Sequence, residues 1–206
     1  MNRRIGLYGG CFDPIHFGHL ISARSIAEAI DLSHIVLIPS ARPPHKDHVR
    51  VTDAAHRLAM ARLAVEGDSL FEVSDLELHR AGPSYTYDTV EECRRLYGAE
   101  AELFWLIGAD SLPELPTWHR IAELVERVTI VTATRPGWRP PKTDLLSHAM
   151  AESAARLLLE NCVVTPGIEI SASDIRTRLV EGRSIRYLTP EPVRSYIDEE
   201  GFYQYF

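Results

Sequence analysis

The sequence predicts an α/β fold in which a doubly wound parallel sheet carries helices on both faces. Three observations predict it. Apolar runs of strand length alternate with helix-length periodic segments along most of the chain. The runs are continuous rather than polar on every second residue, as strands covered on both faces require. The residues able to do chemistry gather just after those runs, where an open parallel sheet presents its ligand-binding loops.

In order, Ile5–Tyr8 reads as a buried strand, and the apolar spacing of Ile21–Ile30 reads as a helix that begins near His19. His34–Pro39 is a second strand. Asp53 is placed to cap a helix over Ala54–Glu66. Leu70–Leu78 reads as a third strand and Tyr87–Tyr97 as a helix ended by Gly98. Glu102–Ile107 is a strongly apolar fourth strand that closes at Gly108, Trp118–Glu126 is helical, and Val128–Ala133 is a fifth strand. The proline-rich run Arg135–Pro141 is a loop. Thr143–Asn161 reads as one helix, Cys162–Val164 as a short strand, Ser173–Glu181 as a helix closed by Gly182, and Pro190–Glu200 as the last helix. The pattern is Rossmann-like with a helical C-terminal end. The 206 residues suit a single domain spanning 1–206, and no internal repeat or low-complexity segment interrupts it.

Composition narrows the function classes. Hydrophobic residues make up 45% and charged residues 25% of the chain, so a substantial core is expected. A net charge of −7 gives no general affinity for nucleic acid. Three widely spaced cysteines build no disulfide framework. The apolar run after Arg3 and Arg4 breaks at Gly9-Gly10, so it is no signal peptide, and no segment has the apolar length of a membrane span. A cytoplasmic protein is the expectation, with no nucleic-acid or membrane partner; the sequence is compatible with a homo-oligomer without fixing one.

The most informative stretch is Gly9-Gly10-Cys11-Phe12-Asp13-Pro14-Ile15-His16-Phe17-Gly18-His19-Leu20. A glycine pair at a strand end lets backbone pass close to a ligand. The helix opening just beyond offers free N–H groups and a positive dipole end, which suit phosphate. His16 and His19 share a face in a first helical turn, and Gly18 removes bulk between them. Two other readings fit the same residues. Cys11, His16 and His19, with His45 as a fourth, are soft ligands for zinc, although paired knuckles are missing. Cys11 could also serve as a thiol nucleophile if its surroundings lowered its pKa.

Other loops add to this pattern. Pro43-Pro44-His45-Lys46 follows the second strand and brings positive charge. Pro83-Ser84-Tyr85-Thr86 precedes a helix and could cap it or meet a polar ligand. Asp110 and Ser111 follow Gly108, where an acidic residue can accept from ribose hydroxyls. Trp118, in a proline-flanked turn, offers either a stacking face or a core packing group. Arg135 could hold a phosphate or carboxylate through its planar fork. Ser171, Ser173 and Arg176 combine hydroxyls, helix-start N–H groups and a cation in a second anion site, so two cradles point to a polyphosphate.

Taken in order, these motifs resemble the nucleotidyltransferase superfamily with the His-x-Gly-His signature. Within it they are similar to bacterial nicotinate-nucleotide adenylyltransferase, from Arg4 through Leu188-Thr189-Pro190-Glu191-Pro192-Val193. The chain departs from that pattern with Cys11 where the family usually has Thr or Ser, and Ser173 where Thr is common. The resemblance implies transfer of AMP from ATP to nicotinate mononucleotide, with Mg2+ held by phosphates and water. It implies that His16, His19 and Arg176 are catalytic. It places Gly9, Gly10, Cys11, Phe12, Gly18, Gly108, Asp110, Ser111, Ser171 and Ser173 on the ATP side. It places Asp13, His45, Lys46, Tyr85, Thr86, Trp118 and Arg135 on the mononucleotide side, with the Tyr85 and Thr86 N–H groups meeting the nicotinate carboxylate. The rival readings are a sister transferase with another phosphate acceptor, a dinucleotide-dependent oxidoreductase and a catalytically silent nucleotide-binding regulator. The oxidoreductase lacks its Gly-x-Gly-x-x-Gly fingerprint, and a P-loop signature is missing as well.

Overall fold

A computed structural model describes residues 3–43, 51–141 and 144–204. Six strands form one sheet: β1 (Arg4–Gly10), β2 (His34–Pro39), β3 (Phe71–Val73), β4 (Glu102–Gly108), β5 (Thr129–Thr134) and β6 (Cys162–Val164). Every neighbouring pair is parallel and the order is β3-β2-β1-β4-β5-β6. From β1 the chain winds outward through β2 to β3, and from β4 it winds the other way to β6. The crevice at the C-terminal ends of β1 and β4 is therefore the switch point of the sheet, where such folds bind ligands.

Alternation along the strands divides the core into two layers. Ile5, Leu7, Val36, Leu103, Trp105 and Ile130 point to one face. They are covered there by α3 (Thr86–Tyr97), α4 (Ile121–Arg127), α5 (Asp144–Ser147) and α6 (Glu152–Glu160). Ile35, Leu37, Phe104, Leu106 and Val131 point to the other. That layer is closed by α1 (Phe17–Ile30), α2 (Ala54–Ala64), α7 (Ala172–Val180) and α8 (Glu191–Glu200). The doubly wound parallel sheet read from the sequence is the observed fold.

Several elements differ from the sequence reading. The strand expected over Leu70–Leu78 pairs with β2 only at Phe71–Val73. The chain then turns into a 3-10 helix at Leu76–His79, which carries Glu77 into the interior. The helix expected from Trp118 begins at Ile121, because Ala109–Thr117 is a 3-10 run holding Pro113 and Pro116, and Arg120 adopts a left-handed φ of 55°. The helix expected over Thr143–Asn161, whose first residue lies outside the described residues, is divided into α5 and α6 by a turn. Asp53 caps α2 as expected, with its Oδ1 accepting from Ala55 N at 2.8 Å.

Candidate active site

The end of β1 sets the site's floor. A Cβ on Gly9 would lie 2.5 Å from the Trp105 ring, so glycine there lets β1 and β4 approach at the crevice. The chain leaves β1 through Phe12, whose ring is 2% exposed and whose φ of 48° is left-handed. That conformation costs a non-glycine residue about 1–2 kcal/mol. It is held by packing of the Phe12 ring edge-on to His19 (centroids 5.1 Å) and Tyr8 (5.5 Å). Phe12 is thus a packed support of the cleft floor with little surface of its own.

His16 is the N-cap of α1 and His19 its third residue, so the helix itself places both imidazoles at its positive end. Their rings stack at 3.7 Å with an interplanar angle of 23°. His16 N–H donates to His19 Nδ1 at 3.3 Å. A ring nitrogen that accepts carries no hydrogen, so this contact leaves Nε2 as the nitrogen of His19 that bears one. His16 is 5% exposed, and its Nδ1 has no hydrogen-bond partner among the described residues. Burial lowers its pKa from 6.5 to about 4, so the ring is neutral at physiological pH. A Cβ on Gly18 would stand 3.0 Å from that ring and 3.2 Å from Ile170 O, which explains the glycine between the histidines. With the His16 ring neutral, the stacked pair is not a double cation. Among the described residues no group of three or more His, Cys, Asp or Glu side chains is placed to hold a metal ion; His45, the fourth member of the zinc set, lies outside them.

One cleft of about 1060 Å³ extends from these histidines along the strand ends. It is at the upper limit of ordinary small-molecule sites, which run to about 1,000 Å³. Gly9, Gly10, Cys11, Phe12, Asp13, His16, Gly18, His19, Tyr85, Thr86, Gly108, Asp110, Ser111, Trp118, Arg135 and Arg176 all line it. His45 and Lys46 lie outside the described residues. Ser171 and Ser173 stand beside the cleft rather than in its lining. The Ser171 hydroxyl caps α7 by accepting from Asp174 N at 3.1 Å, and the two serine hydroxyls bond each other at 3.1 Å.

Two site expectations take a different form. Tyr85 N–H donates to Pro83 O at 3.0 Å, so it is not available to a ligand. The open donors at this end are the first-turn amides of α3, which start at Thr86 and have no acceptor within the helix. The Tyr85 ring instead stacks on His119 at 4.3 Å. Asp13, expected on the mononucleotide side, is 3% exposed and its carboxylate is engaged internally. Tyr203 Oη donates to Oδ1 at 2.6 Å and Thr52 N to Oδ2 at 3.3 Å, while Arg176 Nη1 donates to the Asp13 carbonyl at 2.6 Å. Asp13 therefore ties the C-terminal segment and Arg176 to the loop between β1 and α1.

Sequence reading passed over other lining residues. Trp138 enters the cleft from a tight turn, Arg135-Pro136-Gly137-Trp138, closed by Trp138 N donating to Arg135 O at 3.0 Å. Gly137 takes a φ of 82° there, which matches the proline-then-glycine turn type; that dipeptide was the available signal. Ile168 and Ile170 form an apolar wall after β6. Glu77, 3% exposed, accepts from Thr89 Oγ1 at 2.5 Å and faces Arg80 at 3.6 Å. Burial raises its carboxyl pKa against the opposing pull of Ser84, Thr89 and Arg80. Behind the lining, Arg57 is 1% exposed and donates to Thr52 O, Cys11 O and Ser40 O, each at 2.7 Å.

Comparisons with known proteins agree with this geometry. Residues 7–178 match the family model described as cytidylyltransferase-like. The chain is 43% identical over 200 residues to a probable nicotinate-nucleotide adenylyltransferase of Geobacillus thermodenitrificans, covering 97% of this chain and 86% of that protein. It is 42% identical to the protein of the same name from Pseudomonas fluorescens, covering 99% of each. Among solved structures, the nicotinic acid mononucleotide adenylyltransferase of Plasmodium falciparum complexed with NaAD superposes with a TM-score of 0.75. That likeness covers 99% of this chain and 98% of the other at 19% identity, and so bears on the fold. Sheet order, histidine pair and near-full-length identity converge: the chain belongs to the nicotinate-nucleotide adenylyltransferase family.

Proposed function

We propose that this protein transfers AMP from ATP to nicotinate mononucleotide, giving nicotinate adenine dinucleotide and pyrophosphate, a step in NAD biosynthesis. The observation that carries the reading is the single cleft joining the His16–His19 pair at the switch point to the α3 amides and Trp118. It offers one phosphate-handling end and one aromatic, anion-accepting end in a continuous space large enough for two nucleotides.

A phosphate oxygen of the mononucleotide attacks the α-phosphorus of ATP. The new P–O bond forms in line with the breaking bond to the β-phosphate bridging oxygen, and pyrophosphate departs with that electron pair. The attacking phosphate is already ionised near neutral pH, so the chain supplies no base and forms no covalent intermediate. Its task is to hold two anions together and to stabilise charge that develops between them. His19 Nε2–H donates to an α-phosphoryl oxygen as its charge grows, and the neutral His16 ring fixes His19 by stacking. Arg176, anchored on the Asp13 carbonyl, neutralises the leaving pyrophosphate. At the other end Trp118 stacks on the pyridine ring, the Thr86 amide meets its carboxylate, and Arg135 adds a cation. Asp110 faces the ATP ribose.

The divalent ion belongs to the nucleotide in this reading. Mg2+ prefers several oxygen ligands, and Asp110 is the acidic side chain at the ATP end not engaged by a described partner of the kind Asp13 has. Mg2+ would therefore be held mainly by phosphate oxygens and water, screening charge on the polyphosphate. ATP supply makes the cytoplasm the working compartment.

The test is an acceptor panel: initial rates of pyrophosphate release from ATP with nicotinate mononucleotide, nicotinamide mononucleotide or phosphopantetheine. The proposal expects the acid to be preferred over the amide by at least about tenfold, the equivalent of 1.4 kcal/mol, because N–H donors and Arg135 favour a carboxylate. Equal use of acid and amide would remove the carboxylate assignment, and preference for phosphopantetheine would replace the reaction with that of a sister transferase.

A further inference from the structure

Arg57 touches no part of the proposed reactants. It projects from α2 into the interior, and its guanidinium has no acidic partner among the described residues. Burying a cation is costly unless its donors are all directed at acceptors. Here each of the three nitrogens donates to a main-chain carbonyl at 2.7 Å, and the three carbonyls belong to three different segments. Cys11 lies in the phosphate loop after β1, Ser40 follows β2, and Thr52 precedes α2. A charge that serves only core stability needs no such distribution; a fork joining three loops fixes their mutual placement.

The bonding continues beyond Ser40. Two residues on, Arg42 N donates to Ser84 Oγ at 3.1 Å and Ser84 N donates back to Arg42 O at 2.9 Å. Ser84 stands two residues before Thr86, the first residue of α3. A chain of contacts therefore runs from Cys11 through Arg57 and the 40–42 loop to Ser84 and the α3 amides. Its two ends are the ATP side and the acceptor side of the cleft.

We infer that Arg57 is a positioning residue that sets the distance between the phosphate loop and the acceptor-binding helix start. The inference rests on the proposed reaction, in which an in-line transfer fails if attacking oxygen and phosphorus are misplaced. A displacement of about 1 Å from a remote change costs on the order of 100-fold in rate. Each substrate still meets its own half of the cleft, so its affinity is largely kept.

The test compares Arg57→Lys and Ser84→Ala with the wild type, each checked by circular dichroism to be folded at the assay temperature. Arg57→Lys keeps the charge but cannot fork to three carbonyls. It should lower kcat by about 100-fold while both KM values move less than about threefold. Ser84→Ala removes the Oγ acceptor of Arg42 N together with the Ser84–Glu77 hydrogen bond, while Ser84 N still donates to Arg42 O, so it loosens the outer link. It serves if the lysine variant does not fold and should lower kcat several-fold with both KM values kept. Normal kcat in a folded variant, or a change in KM alone, overturns the inference. A wild type without turnover contradicts the reaction instead. The coupling is then read from amide hydrogen exchange without substrate. Arg57→Lys should speed exchange in peptides covering both Gly9–Phe12 and Ser84–Tyr87, and unchanged exchange at Ser84–Tyr87 refutes it.

Discussion

Replacing His16 by Asn removes a buried imidazole and keeps a side chain that caps a helix well. The wild-type ring is 5% exposed, with Nδ1 unpartnered among the described residues, and burial holds its pKa at about 4 against an ordinary 6.5. Above pH 6.5 neither the folded nor the unfolded chain protonates this group, so it contributes nothing to pH dependence. Between pH 6.5 and 4 the unfolded chain takes up a proton that the folded chain refuses. Stability therefore falls with falling pH by up to about 1.4 kcal/mol per pH unit, for a total loss of about 3 kcal/mol. Below pH 4 both states bind the proton and the loss levels off. Urea unfolding of wild type and His16→Asn at pH 7.5, 6.5, 5.5 and 4.5 measures it. The wild type should lose about 2.5 kcal/mol more than the variant between pH 7.5 and 4.5, after contributions from other groups cancel in the difference. Parallel profiles would refute the buried, neutral His16 on which the stacked pair depends.

His19→Ala should lower kcat by about 100- to 1,000-fold, the cost of one lost transition-state donor, in a steady-state pyrophosphate assay. Trp118→Ala should raise KM for the mononucleotide with little change in KM for ATP, as two-substrate kinetics would register. Gly9→Ala should destabilise the fold by about 1–3 kcal/mol in thermal unfolding, because its Cβ would lie 2.5 Å from a Trp105 ring that is itself 4% exposed.

The sheet was legible because its strands are continuous apolar runs. β2 spans His34–Pro39 as its sequence suggests, and β4 and β5 end within a residue of their apolar limits. Gly98 and Asp53 marked helix ends through local chemistry that the tertiary fold leaves intact. The misread elements lack such signals. Nothing in Ser147-His148-Ala149-Met150-Ala151 breaks a helix by propensity, yet α5 and α6 part there. Leu70–Leu78 carries enough apolar residues for a long strand, but β2 offers pairing only as far as Leu37. The site was legible where glycines, histidines and prolines crowd together, at Gly9–His19, Ser84–Thr86 and Gly108–Asp110. Arg57 and Tyr203 were not. An arginine on a helix reads as a solvated charge and a tyrosine near the C-terminus as packing, until the fold brings one to Cys11 and the other to Asp13.

The most direct measurement mixes the protein with ATP, Mg2+ and nicotinate mononucleotide and quantifies dinucleotide and pyrophosphate together. Direct transfer within one cleft predicts one nicotinate adenine dinucleotide and one pyrophosphate for each ATP consumed. Pyrophosphate without dinucleotide, or no consumption of ATP, would contradict it.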